Sequence, residues 1–237
     1  MRRLDQALVE RGLCESREKA KRAVLAGQVR INERLARKSS DPVRQDDQLT
    51  LATGEKFVSR GGLKLEHGLV HFHLDVSGLT AIDLGASTGG FADCLLQRGA
   101  SKVYAVDVGR GQLAWKLRRD PRVVVMERTN AMHLRLPEPV DLVCIDVGWT
   151  RQRHILPSAA RLLKPDGIVV TLVKPHYEAD PSLLRKGILP ESSVDEILRS
   201  VKSESEPAGW TWLASVRSPI RGTGGNVEVL VMLRPRT

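Results

Sequence analysis

The chain has 237 residues, with 37 Lys+Arg against 28 Asp+Glu, a net charge of +9 and a pI near 9.8. A composition 41% hydrophobic and 27% charged can bury a real core, which excludes wholesale disorder, and the length admits one large domain or a small one joined to a larger one. The basic excess points to a polyanionic partner, RNA or DNA first and an anionic membrane second.

Cys14, Cys94 and Cys144 are far apart, with no CxxC pair, and read as small buried hydrophobes of a reducing compartment, which fits a cytoplasmic protein. Met1-Arg2-Arg3-Leu4-Asp5 has no apolar stretch behind its charges and does not read as a signal peptide. Apolar runs such as 168–173 are too short to span a bilayer, so no membrane partner is expected.

Residues 1–60 carry 14 Lys+Arg and 9 Asp+Glu, so about a quarter of the chain holds +5 of the +9. Leu4, Leu8 and Val9 predict a short helix that Gly12 ends in a left-handed cap. Ser16 is placed to cap a second helix running to Gly27, with Ala20, Ala23 and Val24 on one side. Arg17 and Lys21, and Lys19 and Arg22, pair one turn apart on its other sides. A strand over 29–31, a turn at Asn32-Glu33 and a last strand over 48–52 complete the block. A solvated helix face is the plain account of these charges.

The order of parts adds a second account. Arg3-Leu4-Asp5, Gly12, Ser16-Arg17, Ala20, Gly27, Val29, Asn32, Ser40, Val43 and Asp47 resemble the small RNA-binding domain first named from ribosomal protein S-four. The resemblance covers about 50 residues and implies that Arg3, Arg17, Lys19, Lys21 and Arg22 contact phosphates of structured RNA, which sets affinity and position more than sequence choice. The expected division is an RNA-binding domain over 1–53, a linker over 54–60 and a second domain over 61–237.

Apolar, β-branched runs at 80–84, 103–107, 122–126, 140–147, 167–174, 210–217 and 227–233, most of them separated by helical stretches, predict an open, mostly parallel α/β sheet of seven strands. The first strand runs into Asp83-Leu84-Gly85-Ala86-Ser87-Thr88-Gly89-Gly90-Phe91 and then a helix. Such a turn lets a ligand approach the backbone at the carboxyl edge of the sheet. The dinucleotide version needs glycine where this chain has Ser87, which disfavours NAD and FAD. Asp83 suits a cationic, amino-acid-like ligand, and Asp107 is placed to hold a ribose, a combination that fits S-adenosylmethionine. A tight structural turn is the alternative.

Lys64, Asp146, Lys174 and Glu228 fall at the start of a helix, the ends of two apolar strands and the start of the last strand. Chemistry in open α/β sheets gathers beyond the carboxyl ends of parallel strands, and an antiparallel last strand would begin at that edge. Singly, each is an ordinary strand-end charge.

Long motifs here resemble the TlyA family, often labelled hemolysin A, whose catalytic domain is of the FtsJ type. They include residues 59–65, 83–99, 106–109, 111–117 and 127–131, then Leu172-Val173-Lys174-Pro175, Ser218-Pro219-Ile220 and Gly225-Asn226-Val227-Glu228. The resemblance implies a Rossmann-like methyltransferase sheet and methylation of a ribose 2′-hydroxyl in ribosomal RNA. It implies S-adenosylmethionine as cofactor, ribosomal RNA or subunits as partner, and no metal. It puts a Lys-Asp-Lys-Glu tetrad on Lys64, Asp146, Lys174 and Glu228. Gly85, Ser87, Thr88, Gly89, Gly90, Phe91, Val108 and Asn130 join Asp83, Asp107 and Asp146 as expected cofactor contacts.

Lys174 is expected to be the base and Lys64 the cation that lowers its pKa, with Asp146 and Glu228 orienting them. Two segments depart from the family: Val147-Gly148-Trp149-Thr150-Arg151-Gln152-Arg153 and His176-Tyr177-Glu178. Trp149, Arg151 and Arg60 are candidate RNA contacts, with core packing for Trp149 and plain surface for Arg151 as the alternatives. His67, His71 and His73 lack a completing ligand and do not read as a metal site. An inactive RNA-binding assembly protein and a membrane-active cytolysin are the competing functions.

Overall fold

The computed structural model describes residues 2–25, 28–36, 38–51, 56–148, 150–222 and 224–236, without the side chains of Arg22, Leu25 and Leu35. Trp149, the expected helix end at Gly27, the expected strand end at Ala52 and the Arg22 side chain lie outside the described residues. The chain forms two units, residues 1–56 and 57–237.

In the first unit, β1 (Arg2–Arg3) leads into α1 (Leu4–Glu10), whose Leu4, Ala7 and Leu8 are buried at helical spacing. Gly12, at φ 71°, ends the helix as expected, and Leu13 N–H and Cys14 N–H close on Leu8 O. Next comes α2 (Arg17–Leu25), capped by Ser16 Oγ, which accepts from Lys19 N at 3.2 Å. Its Ala20, Ala23 and Val24 meet α1 in one small core. Strands β2 (Val29–Ile31) and β3 (Arg34–Leu35) form a hairpin through Asn32 and Glu33, both at positive φ. Two more strands follow, β4 (Pro42–Val43) on β1 and β5 (Leu49–Leu51) on β2. Cys14 is half-buried rather than buried.

The second unit begins with residues expected in the linker. Phe57 is buried in its core, and Val58 N–H donates to Asp93 Oδ2 at 2.8 Å. The elements then run α3 (Gly61–His71), β6 (Thr80–Leu84), α4 (Gly90–Gln97), β7 (Lys102–Val106), α5 (Trp115–Arg118), β8 (Val123–Met126) and β9 (Val140–Ile145). They continue as α6 (Gln152–Leu162), β10 (Leu163–Val173), α7 (Pro175–Glu178), a single 3₁₀ turn, α8 (Glu191–Ser205), β11 (Trp210–Arg217) and β12 (Val229–Pro235).

All seven expected strands are present in one sheet of order β11-β12-β10-β9-β6-β7-β8. Strands β10, β9, β6, β7 and β8 run parallel to one another, and β12 is antiparallel to β10 and β11. The central strands are buried on both faces over 81–84, 103–106, 142–145 and 169–173, where their residues are nearly all apolar, while β11 alternates exposed positions with covered ones. On one side Leu65, Leu95 and Leu117 bring in α3, α4 and α5, and on the other Ile155, Leu156 and Val201 bring in α6 and α8. Asp146 and Lys174 therefore sit one residue beyond the carboxyl ends of β9 and β10. Glu228 sits one residue before antiparallel β12, at the same edge, rather than inside that strand as the apolar run suggests.

Among the described residues no helix is long and apolar enough to cross a membrane.

Candidate active site

Four charged groups meet at this edge as two ion pairs. Lys64 Nζ lies 2.5 Å from Glu228 Oε2, with both side chains largely buried. Lys174 Nζ lies 2.7 Å from Asp146 Oδ1 and also donates to Val147 O at 3.2 Å. Each pair joins distant parts of the chain. The first brings the opening turn of α3 to the residue before β12, and the second links the ends of neighbouring parallel strands.

The backbone around both carboxylates is fitted closely. Gly85 has φ 90°, and a Cβ there would stand 2.6 Å from Asp146 O. Asp146 N–H donates to Leu84 O at 2.9 Å, which pins the two strand ends together. Gly222 presents a bare edge to Glu228, since a Cβ on it would lie 2.4 Å from Glu228 Oε1. Buried Asn226 anchors the same loop, accepting from Leu189 N–H at 2.9 Å and donating to Gly187 O at 3.0 Å.

A cavity of about 220 Å³ opens beside these pairs. Its wall contains the expected Asp83, Gly85, Ser87, Thr88, Gly90, Phe91, Asp146 and Lys64. Arg60, expected as an RNA contact, is on this wall too. Ser59, Gly61 and Ala86 complete it, and sequence reasoning did not single them out, although 59–65 is one of the long motifs.

Asp83 is fully buried, and its Oδ2 accepts from Ala92 N–H at 2.9 Å, while Oδ1 has no hydrogen-bond partner among the described residues. Burial pushes its carboxyl up to about 8 against the Ala92 hydrogen bond, and the charges of Asp146 and Asp107 add to the rise. A buried, unmatched acceptor on a cavity wall fits a cationic donor. The donor set therefore fits S-adenosylmethionine.

The remaining expected cofactor contacts lie outside the cavity wall. Gly89 (φ 98°) instead makes room for Leu113 and Leu117 of the neighbouring segment. Asp107 Oδ2 accepts from Ser87 N–H at 2.8 Å and Oδ1 from Gly109 N–H at 2.7 Å, so this carboxylate shapes two loops. Ser87 keeps a positive φ of 48° within that hold, a strained turn for a residue with a side chain. Val108 is exposed, and Asn130 Oδ1 accepts from Met132 N–H at 2.9 Å. Thr129 N–H donates to Asp107 O at 3.0 Å, which keeps the Asp107 and Asn130 loops adjacent.

In the two departing segments, Glu178 Oε1 accepts from Gln152 N–H at 2.7 Å, fastening the first turn of α6. Burial raises the Glu178 carboxyl, opposed by that hydrogen bond. Burial and the charge of Lys174 push the His176 imidazole below its ordinary range, and its Nδ1 is buried with no partner among the described residues. Arg151 stands at the N-terminal boundary of α6.

In the first unit four of the five expected RNA-contacting side chains, those of Arg3, Arg17, Lys19 and Lys21, are already paired. Arg3 Nε lies 3.1 Å from Asp5 Oδ1 and Arg17 Nη2 lies 2.9 Å from Asp5 Oδ2, above a fully buried Asp5. Lys19 pairs with Glu15, and Lys21 with Glu18 at 3.8 Å. All four basic side chains remain about half-exposed or more. His67 and His71 stack with centroids 6.4 Å apart, and no group of three or more His, Cys, Asp or Glu among the described residues is arranged to hold a metal.

Known proteins resemble both units of this chain. The model of the FtsJ-like methyltransferase family matches residues 57–235, and that of the S4 domain matches residues 2–49. The "Putative rRNA methyltransferase YqxC" of Bacillus subtilis is 46% identical over 98% of this chain and 85% of its own length. The 16S/23S rRNA (cytidine-2′-O)-methyltransferase TlyA of Mycobacterium tuberculosis is 41% identical over 99% of this chain and 90% of its own. Among solved structures, a "Putative hemolysin from Streptococcus thermophilus" superposes with a TM-score of 0.75 at 41% identity, covering 99% of this chain and 88% of that one.

Proposed function

The chain belongs to the FtsJ-like methyltransferase family, with an S4 domain ahead of it, and from that premise we propose that it methylates a ribose 2′-hydroxyl of ribosomal RNA using S-adenosylmethionine. The observation that carries this reading is the meeting of Lys64–Glu228 and Lys174–Asp146 beside a cavity whose wall holds an unmatched buried carboxylate.

Asp83, Gly85, Ser87, Thr88, Gly90 and Phe91 hold the cofactor, whose sulfonium supplies an activated methyl group. Asp107, Val108 and Asn130, on the adjoining loops, border it. A ribose hydroxyl is a poor nucleophile until its proton is drawn off. Lys174 takes that proton at Nζ, and Asp146 keeps Nζ aimed at the edge of the cavity. Lys64 is the second, positioning cation of the site, and Glu228 holds Lys64 in place. Most of the remaining acceleration comes from alignment. Arg3, Arg17, Lys19, Lys21 and Arg22 of the S4 domain bind RNA phosphates and set where the second unit engages. Arg60, Trp149 and Arg151 add contacts near the reacting ribose.

Transfer of labelled methyl from S-adenosylmethionine to ribosomal RNA and to isolated subunits, by wild type and Lys174→Ala, tests the reading. Label on ribose that disappears in the variant is expected. Absence of label despite cofactor and RNA binding would instead make the chain a non-catalytic assembly protein.

A further inference from the structure

Trp115 opens α5 on the connection that leaves β7, and it is 66% exposed. The fold does not use it to anchor that connection. Leu113 and Leu117, two residues to either side, are buried and fill the space beside Gly89. Ala114 N–H donates to Thr88 O at 3.0 Å, and Ser87 Oγ donates to Gln112 Oε1 at 3.2 Å. Trp115 is therefore held out to solvent on a segment fastened to the cofactor turn.

The charges around it are unevenly matched. Lys116 pairs with Asp93 at 2.8 Å, Arg118 with Glu127, and Arg122 with Asp120 at 2.7 Å. Arg119 has no carboxylate partner among the described residues, and its guanidinium lies over the Trp115 ring, 4.9 Å from the centroid. Arg110, exposed earlier on the same connection, likewise has none. An exposed indole with an unneutralised arginine against it is well matched to a nucleotide, whose base stacks while its phosphate meets the cation.

We infer that Trp115 and Arg119 form a platform on which an unpaired nucleobase of the RNA substrate stacks, at the rim of the cofactor turn. The inference rests on the RNA-methylating reading above and adds a contact far along the sheet from Lys174 and Glu228. Stacking of this kind tolerates any base, so the platform contributes affinity and register rather than choice of nucleotide.

The test uses the full-length chain and purified ribosomal RNA. Trp115→Ala is expected to weaken RNA binding by about tenfold or more and to raise the KM for RNA, with kcat, S-adenosylmethionine affinity and melting temperature unchanged. Trp115→Phe is expected to recover most of the affinity while losing part of the RNA-induced quenching of tryptophan fluorescence. Arg119→Ala is expected to lower the salt dependence of binding by about one counterion. RNA binding by Trp115→Ala equal to that of a binding-competent wild type overturns the platform and leaves the methyltransferase reading standing; that is also the result if Trp115 serves a protein contact. A parallel loss of cofactor affinity or melting temperature overturns it by showing a structural role. Failure of wild type itself to bind ribosomal RNA overturns both.

Discussion

Gly222 stands so close to Glu228 that a Cβ placed on it would lie 2.4 Å from Glu228 Oε1. The carboxylate is thus wedged between a glycine and Lys64, whose Nζ is 2.5 Å from its other oxygen. Gly222→Ala is expected to drive Glu228 off this position and to leave Lys64 without its anchor. Displacement of about an ångström at such a site costs on the order of a hundredfold in rate. Single-turnover methyl transfer at saturating cofactor would read the loss. A variant with unchanged turnover would show that Glu228 does not need this seat.

The two ion pairs separate the roles of the lysines. Lys174→Met removes the proposed base and is expected to cost roughly a hundred- to ten-thousandfold in turnover, the usual range for general-base removal. Asp146→Asn leaves Lys174 Nζ with only the neutral Val147 O, 3.2 Å away, and is expected to give a smaller loss. Lys64→Met leaves Glu228 without its cation and is expected to lower turnover by less than Lys174→Met. Single-turnover methyl transfer by the three variants checks this directly. Unchanged turnover in Lys64→Met would remove its assigned role.

The sheet and its edge are readable from the chain because apolar β-branched runs recur at regular intervals, and a charged residue closing such a run has to leave the core. Asp146 and Lys174 are legible for that reason. Their pairing partners are less so. Lys64 and Glu228 are 164 positions apart, and only the antiparallel return of β12 beside β10 brings them together. Gly222 leaves no periodic signal, since its contribution is the lack of a side chain. Asp107 shows a strand-end position but not that both of its oxygens accept loop N–H groups. In the first unit the charge pattern marks a basic face, whereas the burial of Asp5 beneath Arg3 and Arg17 contradicts what a charged residue in a first helical turn suggests. Strands of two residues such as β1 and β4 are below the length at which alternation can be seen.

Asp83 gives the cofactor site a pH dependence. Its ordinary carboxyl value of 3.8 is pushed up to about 8, first by burial. Between these values the folded chain holds a proton that the unfolded chain has released, so folding stability falls as pH rises through this window and levels off above it. The ionised form is the one that holds a cation. S-adenosylmethionine affinity is therefore expected to rise with pH towards about 8, by up to about tenfold per unit. Asp83→Asn is expected to flatten both trends, raising the melting temperature at alkaline pH while weakening the cofactor. Calorimetric titration and thermal melts from pH 6 to 9 check the pair, and an affinity independent of pH in wild type would contradict the assignment of Asp83 to the cationic end of the ligand.

Asp5 should show the opposite sign. Burial alone would raise its carboxyl, but the hydrogen bonds from Arg3 and Arg17 outweigh it and bring the value down to about 2. A carboxyl lowered in the folded state contributes stability above its ordinary value, and that contribution is lost as pH falls through the window from 3.8 towards about 2. Because both arginines are about half in water, the contribution is about 1 kcal/mol rather than that of a buried pair. Asp5→Asn is expected to loosen α1 and the two arginines together at neutral pH, with the difference from wild type fading under acid. Hydrogen exchange of the α1 amides, followed from pH 7 downward, measures this. Faster exchange in the variant at pH 7 that persists undiminished near pH 2 would mean that Asp5 acts through packing and not through its charge.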